Sequence, residues 1–220
     1  MQTEIVKYNK EWEKLYKEEA KAIKKALGKG CIAVNHVRDT SFRSDVCAVG
    51  GKIEIVIIAT VKKADDVSPD MLCGIGYGQI FAGYKKEGET DVVLWIRETK
   101  KLDNDGETLR ETSLRNYMIA NPEKAKEYAE YKAKCASETA EISDVKESEE
   151  KFLNDLRPEI SKWQEEQNNV SFGLAIGMCL GMSSGMAIGS AMGNPTLGMT
   201  MGMSVGMCLG IAFGSAKNKK

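Results

Sequence analysis

The sequence predicts an α/β (α+β) chain in two parts: a mixed sheet flanked by helices over residues 1–166, then a two-helix hairpin over 167–220. Three observations lead there. An amphipathic helix, several short strands and three further helices follow one another in the first 166 residues. All 32 acidic residues and 28 of the 31 basic ones lie in that part. No charge occurs between Glu166 and Lys217, where glycine recurs at every fourth position.

The elements follow in order. "EWEKLYKEEAKAIKKAL" (11–27) places Trp12, Leu15, Ala22, Ile23, Ala26 and Leu27 near helical spacing, and Gly28 and Gly30 end the helix. "CIAVNHV" (31–37) is a strand. "KIEIVIIATV" (52–61) is the clearest strand, and its unbroken apolar run predicts a central position covered on both faces. "ADDVSPDML" opens a short helix or loop. "GIGYGQIFAGYKK" and "TDVVLWIRET" are two more strands, and "KLDNDGE" is a turn. "TLRETSLRNYMIANP" is helical as far as Asn121-Pro122. "PEKAKEYAEYKAKCA" is a second helix with proline at its start. "VKESEEKFLNDLRPEISKWQEEQ" is a third, with a kink or restart expected at Pro158.

The net charge of −1 argues against a general grip on nucleic acid. Six cysteines show no Cys-x-x-Cys spacing and no clustered histidine, so free thiols in a reducing cytosol are expected for the main domain, with no zinc site. The glycines of "GIGYG" (74–78) lack the strand-turn-helix context of a dinucleotide site and fit a strand under close backbone approach. The Lys/Glu-rich helices over 122–166 are most simply solvated faces.

Several stretches carry a family resemblance. "IVKYNKEWEKLYKEEA" (5–20), "NHVRDTS" (35–41), "IEIVIIA" (53–59) and "TSLRNYMIANPEKAKEYAEYKAKCA" (112–136) resemble, in order and spacing, the GrpB family. The likeness runs over about residues 3–165. It implies a nucleotidyltransferase-like fold, a mixed sheet flanked by helices. It also implies a turn whose backbone N–H groups approach nucleotide phosphates, and strand carboxylates that hold Mg²⁺. On that basis His36 and Ser41 are the catalytic candidates, Arg38, Asp39 and Thr40 the cofactor-binding ones, and Asp39 with Glu54 the metal ligands. The family's Gly-Ser is replaced by Arg38-Asp39, and Trp95 stands where a histidine of the family would fall. If the strand is slid by two residues, Val56 takes the place of the acid; Glu54 is preferred because an acid in an apolar strand needs a reason. The simpler reading makes His36 a satisfied histidine at a strand end, Asp39 a turn aspartate and Glu54 an edge-facing glutamate. The resemblance therefore leads to a degenerate site, a pseudoenzyme that binds a nucleotide or other ligand, or serves assembly. An active Mg²⁺-dependent nucleotidyltransferase is the alternative.

The tail is a different object. Its blocks, 170–193 and 196–216, each have about the length of a bilayer-spanning helix, and Asn194-Pro195 between them is a turn signal. Residues four apart share a helix face, so two antiparallel helices would meet glycine face to glycine face. The repeat resembles the glycine-zipper tails of bacterial membrane-associated and oligomer-forming proteins. Its expected partners are membrane lipid or further copies of itself. The final lysines predict an inner-membrane hairpin with the N-terminal domain cytoplasmic. The alternative is a cytoplasmic chain whose tail drives soluble oligomerisation, since Ser183, Ser184, Thr196, Thr200 and Ser204 dilute its apolar character.

Overall fold

The computed structural model describes residues 3–49, 52–99, 107–138 and 142–218. The chain divides into two compact units, Met1–Asp155 and Leu156–Lys220.

In the first unit, strand β1 (Thr3–Val6) leads into helix α1 (Lys10–Leu27). The Asn9 side chain caps that helix by accepting from Glu11 N at 2.9 Å, and Gly28 at φ 56° ends it. Then come β2 (Cys31–Val37), β3 (Val46–Val49), β4 (Glu54–Val61), the short helix α2 (Pro69–Cys73), β5 (Gly78–Ile80), β6 (Gly83–Lys86) and β7 (Asp91–Glu98). Helices α3 (Glu107–Ala120) and α4 (Pro122–Glu138) follow.

The main sheet has the order β2-β4-β7-β6-β5. Its central pair, β4 and β7, is parallel and its other pairs are antiparallel, as a mixed sheet requires. The apolar run of β4 has its predicted explanation, because every residue from Ile55 to Val61 is buried. One face carries Ile55, Ile57, Ala59 and Leu94 against Trp12 and Ile23 of α1 and Leu72 of α2. The other carries Val37, Val56, Ile58 and Val93, with Trp95 packed beside them. Strands β1 and β3 form a separate two-stranded ribbon against which α4 packs. A buried acid ties α1 to the sheet: Glu19 accepts from Tyr77 at 2.9 Å and pairs with Lys86 at 2.7 Å.

The long helix α5 (Ile142–Ala191) runs through Pro158 as one element, where the sequence suggested a kink or restart. Most of the turn expected at "KLDNDGE" lies outside the described residues. The five cysteines whose side chains are described, Cys31, Cys73, Cys135, Cys179 and Cys208, are free.

In the second unit, α5 turns back at Gly193, which has φ 80°, into α6 (Pro195–Lys217). Asn194 caps α6 by accepting from Leu197 N at 3.1 Å, with Pro195 in the first turn. The two helices meet backbone to backbone along their glycines. A Cβ on Gly177 would lie 2.8 Å from Gly210 Cα, one on Gly181 2.9 Å from Gly206 Cα, and one on Gly185 2.8 Å from Gly202 Cα. Only glycine fits this interface, and close backbone approach supplies its packing. Large apolar side chains point away from it: Phe172, Leu180, Ile188, Met201, Leu209 and Phe213 are all more than half exposed. Five tail hydroxyls fold back on their own helices. Ser183, Ser184 and Ser190 donate to Cys179 O, Leu180 O and Met186 O, and Thr200 and Ser204 to Leu197 O and Thr200 O. The open end is clasped by polar groups, Asn169 to Asn218 at 2.9 Å and Lys217 to Asn169 at 3.0 Å.

This geometry predicts an asymmetry between faces. Gly181→Ile should force the helices apart and cost about 1–3 kcal/mol. Ala187→Ile, on an exposed position, should cost little. Thermal unfolding followed by circular dichroism in detergent micelles reads the difference.

Candidate functional site

The site is built around the turn that leaves β2. Arg38 has φ 65° and ψ −168°, a backbone conformation nearly confined to glycine. A 3₁₀ turn, Asp39–Ser41, follows. It is pinned by Ser41 N donating to Arg38 O at 2.9 Å and by the Ser41 hydroxyl donating to the same oxygen. An arginine thus stands where the backbone asks for glycine, which is the departure that the sequence comparison with the GrpB pattern singled out.

His36, near the end of β2 and two residues before Arg38, is buried. Its ring stacks on Tyr16 with centroids 4.8 Å apart. Nε2 is 3.0 Å from Thr40 Oγ1, and the Thr40 hydroxyl donates to Glu54 O at 3.3 Å. That hydroxyl has one proton, so the imidazole must donate to it, and the ring is the neutral Nε2–H tautomer. Burial, aided by the nearby Arg115 guanidinium, pulls the His36 pKa down to about 4. Arg115 also donates to His36 O at 3.1 Å. At neutral pH the nitrogen facing Thr40 already carries its proton, so it secures the turn and accepts none.

The Arg38 side chain runs into a cluster of charges. It pairs with Glu111 of α3 at 2.8 Å and reaches Glu149 of α5 at 3.5 Å. Its guanidinium lies 5.6 Å from the centre of the Trp95 ring, and Arg97 lies 5.7 Å from the same ring. Burial opposes the Arg38 charge, but Glu111, Tyr128 and Glu149 outweigh it and raise the pKa. Asp39 is held by Lys132 of α4, and the Tyr128 hydroxyl lies between Asp39 and Glu149. Burial, with the charges of Asp39 and Glu149, pushes the Tyr128 phenol well above its ordinary value. Phe152 closes this side, 5.7 Å from the Tyr128 ring.

The expected metal ligands have other partners. Glu54 sits opposite Asp91 in the parallel register of β4 and β7. Lys85 bridges both carboxylates, at 2.8 Å to Glu54 and 2.9 Å to Asp91. Those hydrogen bonds raise the Lys85 pKa and keep the ammonium charged. Only the backbone carbonyl of Glu54 reaches Thr40. Among the described residues no group of three or more His, Cys, Asp or Glu side chains is arranged to hold a metal. Magnesium at Asp39 or Glu54 would have to displace Lys132 or Lys85 respectively.

The structure therefore gathers His36, Arg38, Asp39, Thr40 and Ser41 in one turn, with the Ser41 hydroxyl directed at the backbone. It sends Glu54 to Lys85. Glu111, Tyr128, Lys132 and Glu149 complete the site and were not legible in the sequence. Tyr128, Lys132 and Glu149 sit on helices whose local spacing reads as solvated, Glu111 on the helix before them, and nothing local marks which charges turn inward.

The His36 geometry gives a pH prediction. An unfolded histidine protonates near pH 6.5 and the folded ring near pH 4. Between these values the unfolded chain binds the extra proton, so stability falls as pH drops from 6.5 towards 4. The loss attributable to His36 is at most about 3 kcal/mol. His36→Gln keeps a donor for Thr40 without titrating. The difference between wild type and this variant in urea midpoints across that window measures the effect.

Comparisons with known proteins place the chain. A family model described as GrpB protein matches residues 2–158. The UPF0157 protein YqkA of Bacillus subtilis (strain 168) is 23% identical over 177 residues, which is 76% of this chain and 50% of that protein. The chain thus spans about half the length of that relative. The crystal structure of conserved protein GrpB from Enterococcus faecalis is similar in fold, with a TM-score of 0.51 at 24% identity. That likeness covers 69% of this chain and 98% of the other. With its β2 turn, central parallel strand pair and α3–α4 pair falling inside the matched residues, the chain belongs to the GrpB family and has its nucleotidyltransferase-like fold.

Proposed function

We propose that the first unit is a degenerate member of the nucleotidyltransferase-like fold, a ligand-binding or assembly module, carried on a membrane-embedded glycine-zipper hairpin. The observation that carries the first half is Arg38. It holds a glycine's backbone conformation and fills the turn's surroundings with its own guanidinium, paired to Glu111 and Glu149. The lysine partners of Asp39 and Glu54 support the same reading, because each carboxylate is already engaged by an ammonium. The rival is a Mg²⁺-dependent nucleotidyl transferase using Asp39, Glu54 and Ser41. Fold alone does not decide between them.

The test is nucleotide binding by calorimetry with and without Mg²⁺. The module reading expects either no binding, or binding that Mg²⁺ and Glu54→Gln leave unchanged. Binding that needs Mg²⁺ and is lost in Glu54→Gln establishes the transferase.

The membrane half rests on α5 and α6. Both contain windows long and apolar enough to cross a bilayer, and those windows are 11% and 17% buried. Large apolar groups outside and glycine inside suit a lipid solvent, which solvates apolar side chains and leaves packing to hold the helices. Hydroxyls that bond their own helix satisfy the other demand of that solvent. Lys217 beside Asn169 puts positive charge at the open end, which favours a cytoplasmic first unit at a bacterial inner membrane. Soluble self-association through the same outward faces is the second reading. Flotation separates them: full-length protein should float with membranes and survive an alkaline wash, and a 1–167 truncation should not. A full-length chain that stays soluble favours the oligomer.

A further inference from the structure

Removing Arg38 in thought leaves a pocket with a definite chemistry. Trp95 offers an aromatic face, Glu111 and Glu149 offer carboxylates, and the Tyr128 hydroxyl stands against Glu149. An aromatic face with two acids from separate helices recognises a flat cation, and a planar guanidinium suits it better than a compact ammonium. Two guanidiniums already lie against that ring, Arg38 at 5.6 Å and Arg97 at 5.7 Å, and of these Arg38 also meets the two acids, with an imperfect fit. Arg38 reaches the pocket from a backbone conformation nearly confined to glycine. Its Nε is buried without a hydrogen-bond partner. The contact with Glu149, at 3.5 Å, is longer than the 2.8 Å pair with Glu111. Arg38 and Trp95 are also two positions at which the sequence leaves the family pattern, and here they touch.

We propose that this pocket is a guanidinium-recognition site, occupied in this chain by Arg38 as an internal ligand and open to an external guanidinium once that side chain is withdrawn. The ligand class is a guanidinium compound, free or borne on an arginine side chain. This goes beyond the degenerate-site reading, which concerns nucleotide and Mg²⁺ and stands or falls on a separate titration.

The experiment uses the full chain with Arg38→Gly, which empties the pocket and relieves the backbone. Methylguanidinium is titrated against tryptophan fluorescence and melting temperature, with methylammonium as the control cation. The expected result is a saturable response in Arg38→Gly, about tenfold tighter than for methylammonium and about tenfold tighter than in wild type. Adding Glu149→Gln to Arg38→Gly should weaken it. Agmatine and an acetylated Gly-Arg-Gly peptide then tell a free ligand from a chain-borne one. No saturable response in Arg38→Gly, or equal responses to both cations, overturns the proposal. Should Arg38→Gly fail to fold alone, recovery of its circular dichroism with methylguanidinium but not methylammonium supports the site, and failure to recover overturns it.

Discussion

The first unit depends on where the charge of Arg38 goes. Glu111, Glu149 and Asp39 converge from two helices and a turn, and each would be an isolated buried or half-buried acid without a cation beside it. Breaking such a pair from one side typically costs about 3–5 kcal/mol, because the remaining charge has lost its water and its partner. That penalty makes the cluster a unit. Arg38 and Lys132 supply the cations, Tyr128 links the two carboxylates it lies between, and the first turns of α5 dock where Glu149 and Phe152 meet that tyrosine. The strained backbone at Arg38 is stable only because this surrounding network holds it.

The sheet was readable where the physics is local. An unbroken β-branched run predicted a strand buried on both faces, and β4 is that strand. The spacing of Trp12 and Ile23 predicted the helix that covers it, and both are core residues against Ile55 and Ile57. Strand order was less legible. Pairing β4 in parallel with β7 across two short intervening strands follows from tertiary packing, which no local pattern encodes. The site was half legible. The resemblance located the turn over His36–Ser41, and Arg38 and Trp95 stood out as departures. The partners of the expected ligands did not, because Lys85 and Lys132 look like any solvated lysine until the fold brings acids to them. The charged helix over 122–138 has both kinds of pair. Lys124–Glu127 is local and exposed, and Lys132–Asp39 spans the chain and is largely buried.

The second unit follows a simpler rule, and its main features were written in the sequence. Glycine every fourth residue gives each helix a side with no side chains, and two such sides allow backbone contact. The helix penalty of glycine, about 1 kcal/mol per residue relative to alanine in water, shrinks in significance where an apolar solvent leaves no alternative to internal hydrogen bonding. Four of the hydroxyls that seemed to dilute the apolar character, those of Ser183, Ser184, Thr200 and Ser204, are turned onto backbone carbonyls, so they do not need water. Helix α5 belongs to both units, carrying Glu149 near its start and the glycine ridge towards its end.

On this reading the Arg38 guanidinium is a fixed, internal occupant of its own site. Side-chain ¹⁵N–¹H spectra of arginine-labelled full-length protein test it directly, with Arg38 assigned through Arg38→Lys. A held guanidinium should show an Nε–H protected from solvent exchange and slowed rotation of its terminal nitrogens, both relaxed by Glu111→Gln with Glu149→Gln. An Arg38 signal that exchanges and rotates like a solvent-exposed arginine would contradict the claim, and would mean that the turn's surroundings are open.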